Sequence, residues 1–411
     1  MNILIVSQYF WPENFRINDL AVELLKRKHE ITVLTGKPNY PQGKFFKGYS
    51  FFSKKIENFQ GIKILRVPIV PRGRGNSTML ILNYISFAVM GTLYSCFVSK
   101  NYDAVIALNY SPITAVYPAI LYKLRRKVRL HLWVQDLWPE SVRSASNLKS
   151  GLVDRFLLKM VQSIYKKSDK ILISSKGFKQ SILEKGIDEN KIIYMPNWAE
   201  DLFEDGSVID KNKYLTIIPK GFIVMFTGNI GEAQDFESIL NAAEATSENK
   251  KIKWVIIGDG RKIEWVSQQI VIRGLMETVF LLGRFPLAEM PSIFAHANIM
   301  LFSLKDESIF SLTLPGKVQS YMAFGKPIVG MINGEGANVI IESNSGFVCN
   351  AGDYKKLASN VLTAFEMPID ELAKLGVNGQ QYYRNHFGKK KLLDSFEQLL
   401  LNDCPLMKRT A

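Results

Sequence analysis

The stretch Leu314-Pro-Gly-Lys-Val-Gln-Ser-Tyr-Met-Ala-Phe-Gly-Lys-Pro-Ile-Val-Gly330 predicts a turn, a helix, a second turn and a buried strand. Pro315 suits the first position of a helix, and Gly325 ends the helical spacing. The amides of Gly316 and Lys317 would then lie at the positive end of the helix, beside an ammonium group. Such an end binds anions, and a phosphate or diphosphate fits it best. A helix that packs on a sheet and carries a solvated lysine explains the same residues equally well.

The composition indicates two folded domains with an uneven charge. A chain of 411 residues with 47% hydrophobic residues can build two cores. Residues 1–200 contain 30 Lys and Arg against 14 Asp and Glu, whereas residues 201–411 contain 22 against 24. The first half therefore has the whole positive excess. Such a charge indicates a binding partner that is nucleic acid, an anionic membrane or an anionic substrate. Nucleic acid is the weakest of these, because no zinc spacing, helix-turn-helix pattern or aromatic RNA-binding signature accompanies the charge.

Metal and disulfide chemistry have no support in the sequence. The three cysteines, Cys96, Cys349 and Cys404, are scattered without the spacing of metal ligands. They indicate a reducing compartment and no disulfide framework. No cluster of carboxylates suggests a metal either, so we expect none.

Both halves alternate short apolar runs with amphipathic ones. This alternation predicts an α/β fold, in which each half is a parallel sheet wrapped by helices. The predicted elements place one domain over residues 1–198 and a second over residues 220–387, with a helix at about residues 388–403 that could cross back to the first. Ligands of such sheets bind beyond the carboxyl ends of the strands.

Glycine-rich corners follow four predicted strands of the second half. They lie at Thr227–Gly231, Gly258–Gly260, Gly283-Arg284 and Asn333–Gly336. One such corner is weak evidence, but four on one side of a sheet make a rim that a nucleotide can approach closely. None matches the dinucleotide fingerprint or the P-loop, so hydride transfer and ATP hydrolysis are poorly supported.

The loops after the strands of the first half are rich in aromatic and charged residues. Gln8–Arg16 combines aromatic side chains with an acid and a base, and Gly36–Gly61 is long enough to be a lid or a binding loop. In Gln135–Glu140, Asp136 follows a strand directly, where reacting groups commonly project. Capping of the next turn is the structural alternative for Asp136, and we favour function because neighbouring strand ends are also polar.

The segment Met79–Ser99 has no charged residue and is long enough to cross a bilayer. It falls, however, where the alternation of strands and helices requires a helix, and a spanning helix would divide the parallel sheet. We therefore predict a helix that is partly buried on the sheet, with one face that could rest on a membrane.

Together these motifs resemble family-4 glycosyltransferases of the GT-B fold. The resemblance rests in the second half on Phe226–Gly231, Gly258–Gly260, Leu282–Pro286 and Met322–Pro327, which occur in the order seen in that family. In the first half, Gln8–Pro12, Tyr40-Pro41 and Gln135–Pro139 look like the bacterial branch that builds surface polysaccharides. The likeness covers nearly the whole chain and is greatest to O-antigen and capsule transferases of the L-fucosamine type.

The resemblance implies two Rossmann-like domains with a cleft between them, and a sugar transfer from UDP with retention at the anomeric carbon. It implies no cofactor and no metal. The donor would lie on the second domain and a lipid-diphosphate-linked saccharide on the first. The donor-binding residues would be Gly228, Asn229, Gly231, Gly258, Gly260, Gly283, Arg284, Phe285, Pro315, Gly316, Lys317 and Ser320. The acceptor-binding residues would be Trp11, Glu13, Asn14, Arg16, Tyr40, Asn109 and Trp138.

The chain departs from the family at the residues that usually carry the chemistry. Two glutamates eight residues apart are replaced by Leu312 and Ser320, and an arginine and a lysine of the first loop by Asn229 and Gln234. Positive charge on the diphosphate must then come from Lys317, with Arg284 next and Lys326 a further candidate. Glu307 could replace one of the lost carboxylates.

The expected mechanism is electrostatic. Lys317 and the helix amides would stabilise the leaving diphosphate, whose oxygen could itself accept the proton of the acceptor. Asp136 and Glu13 would position acceptor hydroxyls, and either could act as a base. Two rivals are open: a UDP-sugar epimerase of the same fold, and a non-catalytic scaffold of polysaccharide assembly. We further expect a cytoplasmic protein, peripheral on the inner face of the bacterial cytoplasmic membrane, which binds anionic lipid through residues 1–200.

Overall fold

The structure, a computed structural model, describes residues 1–73, 77–145, 151–204, 209–210 and 212–404. It divides the chain into two compact units. The first is Met1–Pro196 together with the described part of the segment that begins at Lys390, and the second is Asn197–Lys389. Residues 74–76, 146–150, 205–208, 211 and 405–411 lie outside the described residues.

The first unit contains an eight-stranded sheet. Its strands are β1 (Asn2–Val6), β2 (Glu30–Gly36), β3 (Ile56–Phe59), β4 (Ile62–Val67), β5 (Ala104–Asn109), β6 (Arg129–Val134), β7 (Lys170–Ile173) and β8 (Ile192–Tyr194). The strand order is β3-β4-β2-β1-β5-β6-β7-β8, and all neighbours are parallel except β3, which is antiparallel to β4. The β-branched, buried strands are typical of a sheet covered on both faces.

Among the described residues of 1–196, six α-helices alternate with these strands. They are α1 (Arg16–Lys26), α2 (Ser77–Phe97), α3 (Tyr117–Arg126), α4 (Glu140–Ala145), α5 (Gly151–Lys167) and α6 (Phe178–Glu184). The segment Met79–Ser99, which the sequence predicted to be helical, thus forms most of α2.

The second unit contains a six-stranded parallel sheet. Its strands are β9 (Phe222–Asn229), β10 (Ile252–Asp259), β11 (Val279–Gly283), β12 (Ile299–Ser303), β13 (Ile328–Met331) and β14 (Gly346–Cys349). The order is β11-β10-β9-β12-β13-β14. Its helices are α7 (Phe236–Ala245), α8 (Ile263–Ile272), α9 (Met290–Phe294), α10 (Ser308–Leu312), α11 (Gly316–Ala323), α12 (Glu335–Glu342), α13 (Tyr354–Glu366) and α14 (Ile369–His386).

The terminal helix α15 (Lys389–Asp403) returns to the first unit. Its acidic side chains bind basic partners there: Arg27 contacts Asp394 at 2.6 Å and Glu397 at 2.7 Å. Farther along the helix, the Asp403 carboxylate lies 3.0 Å from Nε2 of the buried His131 on β6. Charge pairs and packing therefore both anchor α15 on the first unit.

Candidate functional site

The most unusual side chain of the second unit is Lys317, at the start of α11. Its ammonium has no hydrogen bond or ion pair among the residues that the structure describes, and lies 4.6 Å from the ring centre of Phe226. Burial lowers the pKa of Lys317 to about 8. A cation that is buried without an acidic partner costs stability, so a ligand that supplies negative charge would relieve the cost.

Gly228, at the end of β9, makes room for this ammonium. A Cβ atom at position 228 would lie 2.1 Å from Nζ of Lys317, so no other residue fits without moving the lysine. Gly228 also has a φ of +127°, which favours glycine. The first loop of the second unit and the start of α11 thus meet at one point.

The amides of α11 point to the same kind of ligand. Pro315 is the N-cap, with extended backbone, so the helix begins at Gly316, one residue later than the sequence predicted. Within the described chain, the amides of Gly316 and Lys317 have no hydrogen-bond acceptor. Two free amides, a helix dipole and an unpaired ammonium make this end of α11 an anion site.

Buried contacts fix α11 against the sheet. The Tyr321 hydroxyl lies 3.0 Å from Oγ1 of Thr227 on β9, and burial raises the pKa of Tyr321 to about 12. Phe294 of α9 packs against the same tyrosine ring. The position of Lys317 therefore follows from the packing of the residues after it on the helix.

The other glycine corners lie at the carboxyl ends of the strands, where the sequence predicted them. A Cβ at Gly258 would lie 1.8 Å from the carbonyl oxygen of Gly228, and one at Gly260 would lie 2.3 Å from that of Ile230. These two glycines let the loops after β9 and β10 pack together, which explains them without a ligand. Their contact with a donor stays a prediction.

The first loop of the second unit has polar side chains at the positions where the family usually has cations. Asn229 donates to Oε1 of Gln234 at 3.3 Å, and the amide of Gly231 donates to the same oxygen at 3.1 Å. A Cβ at Gly231 would crowd Asn229 at 2.3 Å. These residues shape the loop and bring no charge to it, so Lys317 is the cation at this corner.

Four further residues that the sequence pointed to lie in the second unit: Arg284, Phe285, Glu307 and Lys326. Arg284 is exposed, and Phe285 packs edge-on against Tyr214 at 5.5 Å. Glu307 is the N-cap of α10, where its carbonyl accepts the amides of Phe310 and Ser311. Lys326, the third cation proposed from sequence, donates to the carbonyls of Ala295 and Ala297 and thus stabilises the turn after α11.

A carboxylate that sequence reasoning missed lies beside Ser320. The Ser320 hydroxyl donates to Oε2 of Glu200 at 3.2 Å. Glu200 belongs to the segment that opens the second unit, 120 residues earlier in the chain, so no local motif could indicate it. It supplies a carboxylate at one of the two positions where the family usually has glutamate.

In the first unit, Asp136 lies in a pocket of side-chain donors at the end of β6. The indole of Trp138 donates to Oδ2 of Asp136 at 3.2 Å. The hydroxyls of Ser111 and Ser141 lie near enough to lower the pKa of this carboxyl. Burial raises the pKa of Asp136, which these donors partly offset. Among the described residues no backbone amide donates to this carboxylate, so capping does not explain its position.

Glu13 has a different place from the one predicted. Its side chain is buried, and it accepts the amides of Asn39 at 2.8 Å and Tyr40 at 2.7 Å. Burial raises the pKa of Glu13 to about 7. In this structure Glu13 joins two loops of the first unit from inside, and its role as a catalytic or acceptor-binding carboxylate stays a prediction.

Asn109 also lies inside the first unit. It is fully buried at the end of β5, where its Nδ2 donates to the carbonyl of Asp136 at 2.7 Å. The backbone carbonyl of Asn109 accepts hydrogen bonds from the amides of Gln135 and Asp136. Asn109 thus holds the loop that carries Asp136, and cannot contact an acceptor without a rearrangement.

The other predicted acceptor residues border an aromatic cluster. The ring centre of Tyr40 lies 5.2 Å from that of Phe15 and 5.7 Å from that of Tyr9. The ring centres of Phe15 and Tyr110 lie 5.0 Å apart. Arg72 lies over the Tyr40 ring at 5.2 Å, a contact that sequence reasoning missed because 32 residues separate the two. Arg72 and the rings around Tyr40 thus pack on one another, and contact of Tyr40 with an acceptor stays a prediction.

Three predicted acceptor residues lie on the loop before α1 or at its start. Trp11 stacks on Phe59 at 4.8 Å, so its ring contributes to packing. Asn14 is exposed, and Arg16 begins α1 near Asp19 at 4.0 Å. Of these, only Asn14 has a fully exposed side chain.

Two domain families match the chain. Residues 14–198 match the family described as "Glycosyl transferase 4-like domain", and residues 221–367 match "Glycosyl transferases group 1". Together the two matches span most of both units. The chain belongs to the glycosyltransferases of the GT-B fold. The sequence prediction of the fold and of a hexosyltransferase-type enzyme is thereby confirmed.

Two relatives are similar along most of their length. The chain is 26% identical to a probable glycosyltransferase WbjE of Pseudomonas aeruginosa over 314 residues, which are 74% of this chain and 76% of the relative. It is 25% identical to a putative colanic acid biosynthesis glycosyl transferase WcaI of Escherichia coli K12 over 344 residues, which are 79% of this chain and 82% of the relative.

Solved structures share the fold at low identity. HepE of Anabaena, in complex with UDP and glucose, matches with a TM-score of 0.67 at 15% identity and covers 97% of this chain and 98% of its own. Sucrose-phosphate synthase of Thermosynechococcus elongatus matches with a TM-score of 0.72 at 14% identity over the same shares. These likenesses support the fold alone.

Proposed function

We propose that this glycosyltransferase moves a sugar from a UDP-sugar to a lipid-diphosphate-linked saccharide, with retention at the anomeric carbon. The observation that carries the proposal is the unpaired ammonium of Lys317 at the free amide end of α11. A nucleoside diphosphate supplies the negative charge that this site lacks. The UDP in the HepE complex supports uridine as the nucleoside of the donor.

Bacterial surface polysaccharide is the proposed product, either O-antigen or capsule. The support is the likeness to WbjE and to WcaI, the second of which is described as acting in colanic acid biosynthesis. An N-acetylated amino sugar such as L-FucNAc is the proposed donor sugar. The enzyme would work in the cytoplasm, on the inner face of the cytoplasmic membrane.

The proposed chemistry follows from the charges. As the bond to the sugar breaks, negative charge develops on the diphosphate, and Lys317 with the amides of α11 stabilises it. With retention, the leaving phosphate oxygen takes the proton of the acceptor hydroxyl as the new bond forms on the same face. Asp136 would orient that hydroxyl, and its raised pKa also makes it a candidate base. No metal is needed in this scheme.

Glu200 refines the donor side. It lies against Ser320, on the helix whose first residues would bind the diphosphate. We therefore prefer Glu200 to Glu307 as the carboxylate that replaces a lost glutamate and accepts hydroxyl hydrogen bonds from the donor.

The test is transfer from a panel of UDP-sugars to a lipid-diphosphate-linked sugar, with anomeric configuration of the product read by NMR. The proposal requires one UDP-sugar to give a product with retained configuration. Conversion of the UDP-sugar without any acceptor would instead identify an epimerase. Binding without turnover of any donor would identify a non-catalytic scaffold, for which the missing glutamate pair is the best argument.

A further inference from the structure

Helix α2 has its polar and small residues inside and its large apolar residues outside. One stripe along it is buried and consists of Asn83, Phe87, Gly91 and Ser95. The stripe on the opposite face consists of Ile81, Ile85, Val89, Leu93 and Phe97, which are between 49% and 82% exposed. This pattern is the reverse of a helix that packs a sheet and faces water on its other side.

The buried stripe explains why α2 keeps its place. The Asn83 amide donates to the carbonyl of Val70 at 2.6 Å and its oxygen accepts from Gln8 at 2.7 Å. At Gly91 the helix approaches α3 so closely that a Cβ would lie 2.8 Å from Pro118. The polar inner side thus has partners in the described chain, whereas the apolar outer side has none.

By length and composition α2 is also the one helix of the described chain that is apolar enough to cross a membrane, with a mean hydropathy of 1.5. It connects β4 and β5 within one sheet, however, and its inner stripe is fastened to that sheet. A helix held in this way cannot leave the fold to span a bilayer, but it can lie in the surface of one.

The neighbouring helices extend the apolar surface. An apolar groove of about 530 Å³ runs between α2 and α3, lined by Val89, Leu93, Tyr117, Ile120, Leu121 and Leu124. Helix α5 packs beside α3 and exposes Leu152 and Phe156. An exposed apolar surface of this extent is rare on a protein that meets only water.

Basic residues border this surface. Arg125 and Arg126 of α3 donate to carbonyls at the end of α2, and Lys127 follows them exposed. Arg155 and Lys159 are exposed on α5. Neither α2 nor α3 contains an Asp or Glu. An apolar stripe with a cationic border is complementary to hydrocarbon beneath anionic phospholipid head groups.

We propose that the exposed stripe of α2, with the α2–α3 groove, inserts into the hydrocarbon boundary of an anionic phospholipid leaflet. The inference deepens the proposed function, because it names the surface that brings a lipid-linked acceptor to the enzyme. Apolar insertion is the main contribution and the basic border adds to it, so raised salt should weaken binding without abolishing it.

The test uses the full chain with vesicles of phosphatidylglycerol and phosphatidylcholine. The variant Ile85→Gln/Val89→Gln/Leu93→Gln changes three side chains that contact no predicted substrate residue. The control Val271→Gln/Ile272→Gln makes the same change at exposed residues of α8 in the second unit. Sedimentation with vesicles should show binding at least about tenfold weaker for the α2 variant and unchanged for the control.

A probe on Cys96 gives a second, local measurement. Cys96 lies on α2 and is half-buried, whereas Cys349 and Cys404 are buried, so an environment-sensitive fluorophore labels it selectively. Its emission should shift to the blue with anionic vesicles, and lipids with quenchers in the acyl chain should quench it. Binding of the α2 variant equal to wild type, or an unshifted Cys96 probe on bound vesicles, would overturn the proposal.

Two further outcomes separate this surface from the proposed function. If the wild type does not bind vesicles but still glycosylates a short-chain, water-soluble acceptor, the surface is wrong and the function stands. If it binds vesicles through α2 but transfers no sugar to either acceptor, the surface stands and the function is wrong. A dimer that dissociates in the α2 variant, without vesicle binding, would assign the surface to a second copy and overturn the lipid proposal.

Discussion

Replacement of Lys317 by alanine should weaken UDP binding by about 1.5–3 kcal/mol, the range for a lost hydrogen bond to a charged group. Since 1.4 kcal/mol corresponds to a factor of ten, Kd should rise roughly 10- to 150-fold. Folding should not be weakened, because the ammonium has no hydrogen bond or ion pair in the described chain, and its burial opposes its charge.

The lowered pKa adds a pH dependence to this prediction. In the folded protein Lys317 loses its proton near pH 8, whereas in the unfolded chain it does so near 10.5. Between these values the unfolded chain binds more protons, so the stability of the wild type rises with pH across that window. UDP affinity should fall over the same window as the ammonium is neutralised. Both trends should be absent from the alanine variant.

Titration calorimetry with UDP at pH 7 and chemical denaturation measure the two effects. Lys317→Met keeps the aliphatic contact with Phe226 and removes only the charge. Lys326→Met is the matched control, because that lysine donates to the carbonyls of Ala295 and Ala297. It should lower stability and leave UDP affinity unchanged. Equal UDP affinity in the wild type and in Lys317→Met would refute the diphosphate contact and leave Lys317 without a role in donor binding.

Three other substitutions test the remaining assignments. Asp136→Asn should lower turnover tens-fold or more with UDP affinity unchanged, and a fully active variant would leave Asp136 a structural role only. Glu13→Ala should cost about 1–3 kcal/mol of stability for the amides it leaves unpaired, whereas Glu13→Gln should be nearly neutral at pH 7. Because the pKa of Glu13 is raised to about 7, its contribution to stability is largest at acid pH and falls as pH rises from 4.5 to 7. Denaturation at several pH values can follow this change. Gly228→Ala should displace the Lys317 ammonium and reproduce its loss of UDP affinity, and calorimetry showing wild-type affinity would contradict the 2.1 Å clearance.

Periodicity and glycine placement were sufficient to predict the fold. Buried strands such as β5 and β13 are continuous apolar runs, and Gly228 and Gly258 end strands where the parallel sheet turns. The anion site was predictable for the same reason, since Pro315 to Lys317 are consecutive and their chemistry is local.

The parts that the sequence could not show depend on distant contacts. Glu13 looked like a free acid in a loop, and only the approach of Asn39 and Tyr40 makes it an internal acceptor. Glu200 and Ser320 are 120 residues apart, so no spacing rule relates them. The sequence also did not show which face of α2 is exposed, because a uniformly apolar helix does not indicate which of its faces is covered.

The return of α15 to the first unit has a consequence for biosynthesis. The first unit lacks the partners of Arg27 and His131 until Asp394, Glu397 and Asp403 have been translated, and these residues come after the whole second unit. The second unit is complete earlier, at Lys389. On the ribosome, therefore, the unit encoded second can finish folding first, while the amino-terminal unit is completed only after α15 has also been translated.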